Sequence, residues 1–321
     1  MNKADFIYGI ARIRSKELSI LKKSDIDSLI TANSYSDAER ILADKGWRLP
    51  SSADTADICE IHLGDVWNFI KEFTPDEKFF YSLVIENDFA NLKAAIKAVF
   101  SSLNPAEYMT RPYVCDPEII LKAVREHSFD ILPEYLSSCA AGAYSAVTEL
   151  ESGQKAEIII DKSCAQQRAF FAQKSGNDFM IKIAALKSMV ENIKVARRCA
   201  LTGKSRTFAL ESMILQTGFP AEEIISAVYK GERISEIVSA AGFADLADAA
   251  DGEFSALDSL CDKLIINSAG EYKHDIDGAD AVAAYYILKQ AECKTVRMIL
   301  AAKKAGVPND IIAERAGDYN V

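Results

Sequence analysis

The sequence predicts an all-α protein. Gly and Pro together supply only 23 of 321 residues, about 7% where ~12% is usual. Ala is abundant, and it costs least in a helix while Gly and Pro cost most. Apolar residues recur at helical spacing behind capping signals along most of the chain. A hydrophobic fraction of 49% with 26% charged residues belongs to a packed soluble chain and excludes a disordered one. A β-sandwich, a collagen and a low-complexity linker are excluded on the same composition.

In chain order, Phe6, Ile10, Ile13 and Leu21 form one stripe, which predicts a first helix ending near Lys23, and Ser24 and Asp25 open a second. Ser36-Asp37-Ala38-Glu39 has the form of a capping box. Thr74-Pro75-Asp76-Glu77 places Thr at the N-cap, Pro at N1 and Glu at N3. Phe80, Leu83, Val84, Leu92, Ala95, Ile96 and Val99 follow at helical spacing, predicting one continuous helix from about Pro75 to Ser101. The three consecutive Ile at 158–160 sit among Lys155, Lys162, Gln166 and Gln167 with no turn signal, so they too are assigned to a helix.

The most informative feature is repetition. Asn91-Leu92-Lys93 lies in the long helix; Asn192-Ile193-Lys194 recurs about a hundred residues later on a helix with Leu186 and Val190; Thr295-Val296-Arg297 is a third, weaker copy. An acid precedes the first and third copies by three residues (Asp88, Glu292), where the second has Met189. Each copy is followed by a breaker and a new helix start: Pro117-Glu118-Ile119-Ile120, Pro220 with Glu223-Ile224-Ile225, and Pro308 with Asp310-Ile311-Ile312. The order predicts three tandem helical repeats of about 100 residues, over 1–110, 111–215 and 216–321. Units of that size are too large for a solenoid.

Chemistry-bearing motifs are scarce. The chain has 37 basic and 47 acidic residues, a net charge of −10, so nothing supplies the cationic surface that nucleic-acid binding needs. Its seven cysteines are scattered without a CxxC pair and read as buried free thiols of a reducing compartment. Residues 1–14 have no apolar segment of signal-peptide type, and the longest uncharged run, Tyr135–Thr148, is shorter than the ~18–20 residues of a membrane span. Thr202-Gly203-Lys204-Ser205 ends like a phosphate loop, but Arg198 stands where its first glycine belongs, so Gly203 reads as a helix-terminating residue. Asp275, Asp277, Gly278 and Asp280 lack the sixth-position glycine and twelfth-position glutamate of a calcium loop and read as a turn. Asp245, Asp248 and Asp251 read as a solvated helix face, and His62, His127 and His274 share no ligand spacing. No catalytic, cofactor or metal site is predicted.

Several of these residues carry a family resemblance. Tyr8-Gly9-Ile10-Ala11-Arg12-Ile13-Arg14 with Leu18 and Leu21, and Asp88-x-x-Asn91-Leu92-Lys93, resemble the C subunit of prokaryotic V/A-type ATPases, subunit d of the vacuolar enzymes. Phe254, Leu257-Asp258-x-x-Cys261-Asp262, Ala284-Tyr285-Tyr286, Lys289-x-x-Glu292, Val296-Arg297-x-Ile299-Leu300 and Lys303 follow in family order, with Pro308, Ile311, Glu314-Arg315 and Tyr319-x-Val321 at the end. Thr295, Met189, Gly317-Asp318 and the stretch 45–65 depart from the family pattern.

The resemblance implies a pseudo-threefold helical funnel, peripheral on the cytoplasmic face of the membrane. It implies seating on the proteolipid rotor ring, with the shaft subunits D and F entering the wide opening. The role implied is a non-catalytic adaptor that carries torque between ATP turnover and proton or sodium transport. Lys93, Lys194 and Arg297, at equivalent motif positions, are the candidate interface residues, although ordinary helix surface is the weightier account of such cations. The alternatives from other classes are a free-standing helical scaffold or binding protein and a helical metal-dependent enzyme.

Overall fold

The computed structural model describes residues 7–51, 57–74, 76–101, 104–105, 108–214, 219–272 and 278–316 of the chain. Among them every regular element is a helix. The N-terminal part holds α1 (Ile7–Glu17), α2 (Lys23–Thr31), α3 (Tyr35–Asp44), α4 (Ile58–Lys71) and α5 (Ile85–Phe100). The middle holds α6 (Pro117–Glu126), α7 (Glu134–Thr148), α8 (Gly153–Ser175), α9 (Asp178–Leu201) and α10 (Arg206–Ser212). The remainder comprises α11 (Ala221–Lys230), α12 (Ser235–Ala240), α13 (Ala247–Ala250), α14 (Phe254–Glu271), α15 (Ala279–Lys304) and α16 (Asn309–Ala316).

The helix assignment of Ile158–Ile160 holds, within α8. Gly203 ends α9 with a φ of +67°, and the Lys204 amide reaches back to the Cys199 carbonyl at 2.9 Å, the left-handed stop for which glycine is suited. Three boundaries differ from the sequence prediction. Helix α1 ends at Glu17 instead of running to Lys23, and α2 starts one turn on, where the Lys22 amide donates to Asp25 Oδ2 at 2.9 Å. Phe6 lies outside the described residues. The cap of α3 is Ser34, whose Oγ accepts from the Asp37 amide at 3.1 Å, so the helix is capped two residues earlier than at Ser36. The long helix at 75–101 is in fact two elements, a 3-10 helix over Glu77–Leu83 followed by α5. Phe80, Tyr81, Ser82, Leu83, Val84 and Ile85 are buried in succession, a pattern that one-sided α-helical burial does not produce. Tyr81 packs edge-on against Phe171 of α8. The capping residue there is Asp76, while Thr74 Oγ1 is spent on the Ile70 carbonyl at 2.7 Å.

One apolar core runs from Ile10 in α1 through α5, α6 and α9 to Leu288 in α15. Gly9 belongs to its edge: a Cβ there would fall 2.1 Å from the Phe73 ring, so the absence of a side chain lets α1 lie against it. A second cluster joins the ends of the chain, with Leu21, Leu29, Leu42 and Trp47 packed around Val296, Ile299, Leu300 and Ile312. At 26 residues, about 39 Å at 1.5 Å per residue, α15 contributes to both clusters.

Beside the main core, Arg168 of α8 is 2% exposed. Its guanidinium donates to Glu86 at 2.8 Å, to Glu191 at 2.7 and 3.0 Å, and to Ser188 at 3.3 Å, and Lys187 adds a 2.9 Å bond to Glu86. Burial alone pushes the Glu86 carboxyl up, but Lys187 and Arg168 outweigh it and hold it at about 2. Arg168 is the buried charge of this network, while Glu86 and Glu191 keep 36 and 42% of their side chains exposed, so stranding the guanidinium with the double variant Glu86→Gln/Glu191→Gln is expected to lower the unfolding free energy in urea by about 3–5 kcal/mol. Glu86 titrates lower in the folded chain than the ordinary 4.5, so its stabilisation is complete above that pH and is lost as pH falls towards 2. Glu86→Gln is expected to flatten this acid limb in a pH series of melting temperatures.

Candidate interface site

The three motif copies occupy one register on α5, α9 and α15. Leu92, Ile193 and Val296 are each 0% exposed, as are Ala95, Ala196 and Ile299. The cation after the first of these positions therefore emerges at the same rim of its helix each time. Lys93 pairs with Asp161 of α8. Lys194 Nζ lies 2.7 Å from Asp258 of α14. Arg297 Nε lies 2.8 Å from Asp57, the N-cap of α4. The three candidate residues are thus each tied to an acid on a separate helix, and among the described residues no contact joins one to another. At the Arg297 pair, burial and then the neighbouring Asp57 charge push the Glu60 carboxyl up to about 7.

The more consequential polar groups are the ones the sequence pattern left unexplained. Asn91 bonds both ways to Thr110, accepting from its amide at 2.7 Å and donating to its carbonyl at 3.2 Å. Asn192 does the same to Ile214, at 2.7 and 2.9 Å. Asp88 accepts from the amides of Val114 and Cys115 at 3.0 and 2.9 Å and from the Tyr135 hydroxyl. Burial nevertheless pushes its carboxyl up to about 6. In the third copy Glu292 accepts from the Leu21 amide at 2.6 Å and from Lys289 at 2.7 Å.

All four side chains are at most 1% exposed. The acid and the Asn stand three apart on one helix face, so a full copy of the pattern, as at Asp88 and Asn91, offers two clamps for loop backbone. The departures from the pattern remove one clamp apiece: Met189 is apolar core in the second copy, and in the third Thr295 stands in the Asn position, leaving Glu292. The first copy grips the loop that follows its own helix, the second grips the segment just after α10, and the third grips the connection between α1 and α2. Lys303 extends that closure by donating to the Ile30 and Ala32 carbonyls at 2.7 and 2.6 Å.

A groove of about 320 Å³ runs between α14 and α15 to the end of α16. It is lined by Ile265, Ile287 and Met298 and by Lys187, Lys263, Lys294 and Arg315 against one acid, Asp262. Two of these cations are already answered within the chain, Lys187 by Glu86 and Lys294 by Asp262, and the lining residues are too scattered in sequence to be found there. Asp251 caps α12, accepting from the Ile234 amide at 2.9 Å, a structural task that the predicted solvated face omits. Of the predicted turn, Asp275 and Asp277 lie outside the described residues, as does His274, and Asp280 accepts from Asn177 at 2.8 Å. His62 is stacked on Trp47 at 3.9 Å and pushed down to about 3 by burial and Lys289. Among the described residues no group of His, Cys, Asp and Glu could hold a metal ion, and no helix is long and apolar enough to cross a membrane.

A buried amide that satisfies two backbone groups matters more than an exposed ion pair. Asn192→Ala is expected to cost about 2–4 kcal/mol in urea unfolding, since it strands the Ile214 amide and carbonyl. Lys194→Ala, two residues further along α9 and on a different face, is expected to cost less than about 1 kcal/mol.

No curated protein matches the chain. A family model described as ATP synthase (C/AC39) subunit matches residues 10–315, from α1 to α16, and takes in all three motif helices and every clamp. The chain belongs to the ATP synthase (C/AC39) subunit family, the C or d subunit of V/A-type ATPases.

Proposed function

We propose that this subunit of a rotary ATPase is its central-stalk adaptor, without catalysis of its own. The carrying observation is the family match over residues 10–315, which also sets aside the free-standing scaffold. In this proposal the chain forms three helical units, 1–110, 111–215 and 216–321, arranged as a funnel about a pseudo-threefold axis. The shaft subunits D and F enter the wide end, and the opposite face sits on the proteolipid ring at the cytoplasmic side of the membrane. Torque then passes through the body between ATP turnover and proton or sodium transport.

Such a part must resist twisting, and the buried clamps support the proposal in that respect. Loop segments that would otherwise yield under load are tied to long helices at 2.6–3.2 Å by side chains that water does not reach. Lys93, Lys194 and Arg297 remain partly exposed, with side-chain exposures of 29, 20 and 49%, and are the proposed polar contacts to the shaft.

Co-purification with the D and F subunits, followed by size-exclusion chromatography with light scattering, is expected to give a complex with one copy of each. A chain that stays monomeric both alone with the shaft and with the ring added in detergent sinks the adaptor role. Arg297→Glu is expected to weaken the complex about tenfold, with its fold checked by circular dichroism because the change also sets a like charge against Asp57. If the folded variant assembles normally, Arg297 lies outside the interface and the adaptor role is unaffected.

A further inference from the structure

Cys59 and Cys293 stand 234 residues apart in sequence and meet across the packed helices α4 and α15. The Cys59 thiol approaches the Cys293 carbonyl at 3.4 Å, and the Cys293 thiol approaches the Cys59 carbonyl at 3.8 Å. This reciprocal contact places the two residues side by side, with each thiol lying along the other's backbone. Both residues are 1% exposed and belong to the cluster that joins the two ends of the chain. All seven cysteines of the chain are free.

We propose that Cys59 and Cys293 are a dithiol site that oxidises to an intramolecular disulfide, converting the α4–α15 seam from a packed contact to a covalent one. The proposal stands apart from the rotary role. A disulfide needs Cα atoms within about 7 Å and Cβ atoms facing one another, and the reciprocal contacts bring each sulfur to 3.4 and 3.8 Å from the other residue's carbonyl oxygen. The seam already carries the Arg297–Asp57 pair, which ties α15 to the start of α4.

The oxidant class is a small-molecule disulfide such as oxidised glutathione. One cysteine thiolate attacks it, forming a mixed disulfide and expelling one glutathione thiolate. The second cysteine thiolate then attacks the protein-side sulfur, closing the Cys59–Cys293 bond and expelling the other. Two electrons pass from the two cysteines to the glutathione disulfide, and the two thiol protons end on two reduced glutathiones. Burial, and then the Cys59 thiol beside it, push the Cys293 thiol well above the ordinary cysteine range. The first attack therefore waits on a brief separation of α4 from α15, which makes the reaction slow without changing its equilibrium.

The test takes the full chain through glutathione buffers of graded oxidised-to-reduced ratio. Equilibrium is approached from both directions, from reduced protein and from protein pre-oxidised with diamide. Free thiols are then trapped with iodoacetamide and the peptides mapped by mass spectrometry. The expected result is one cross-linked species in which the Cys59 and Cys293 peptides are joined and the other five cysteines are alkylated. That species is expected to melt at a higher temperature, because the cross-link closes a long loop in the unfolded chain. Cys293→Ser and Cys59→Ser, each folded by circular dichroism, are expected to lose both the cross-link and the upward shift. The proposal is overturned if both thiols remain alkylated from either direction across the series. It is equally overturned if Cys59 or Cys293 pairs with a different cysteine.

Discussion

Loop backbone drawn into the interior of a helical protein has amide and carbonyl groups that must find partners, and in this chain four buried side chains on three long helices meet that need. Asp88, Asn91, Asn192 and Glu292 hold the segments at Thr110–Cys115, Ile214 and Leu21. The need is strict because an unpaired buried polar group costs a few kcal/mol, a sizeable share of a domain's net stability. Each clamp also positions the helix start that follows it. The loop held by Asp88 and Asn91 leads into α6 at Pro117, and Asn192 holds the loop that runs on towards α11 at Ala221. The third clamp differs in kind, because Glu292 reaches the connection between the first two helices and so closes the chain on itself.

Charge is used at two levels in this structure. Arg168, nearly sealed from water, binds Glu86 and Glu191 and shares Glu86 with Lys187, joining α5, α8 and α9. The motif cations sit further out, each facing an acid with 45% or more of its side chain exposed. Inner pairs of the first kind define which helices are neighbours, whereas outer pairs of the second kind contribute little to stability and can exchange one acidic partner for another. The outer set is the part of the chain proposed above to meet other subunits, and membership of the ATP synthase (C/AC39) subunit family makes the chain one subunit of a larger complex.

The helical character, the motif helices and the family were legible in the sequence, because Ala-rich composition, 3.6-residue periodicity and the ordered motif copies are local properties that survive without any tertiary contact. The same locality explains the misplaced boundaries. Apolar spacing did not distinguish the 3-10 helix at Glu77–Leu83 from an α-helix, since burial on all sides there comes from neighbouring elements, α8 among them. Ser36 and Ser34 are equally good caps by composition, and the extended backbone at Ser34 decided between them. Asp88 and Asn91 were visible as a pattern, but nothing local said that they face inward to hold backbone.

By itself, the sequence determined the all-helical class, the order of its elements and the recurrence of an acid-x-x-Asn-x-base pattern on long helices. Tertiary structure alone decided which groups those residues meet. The partners of Lys93, Arg168, Glu292 and Arg297 lie 68, 82, 271 and 240 residues away, separations over which helical periodicity carries no information. Such pairings follow from how whole helices pack, where burial forces every polar group to find a partner and the chain's two ends share one apolar cluster.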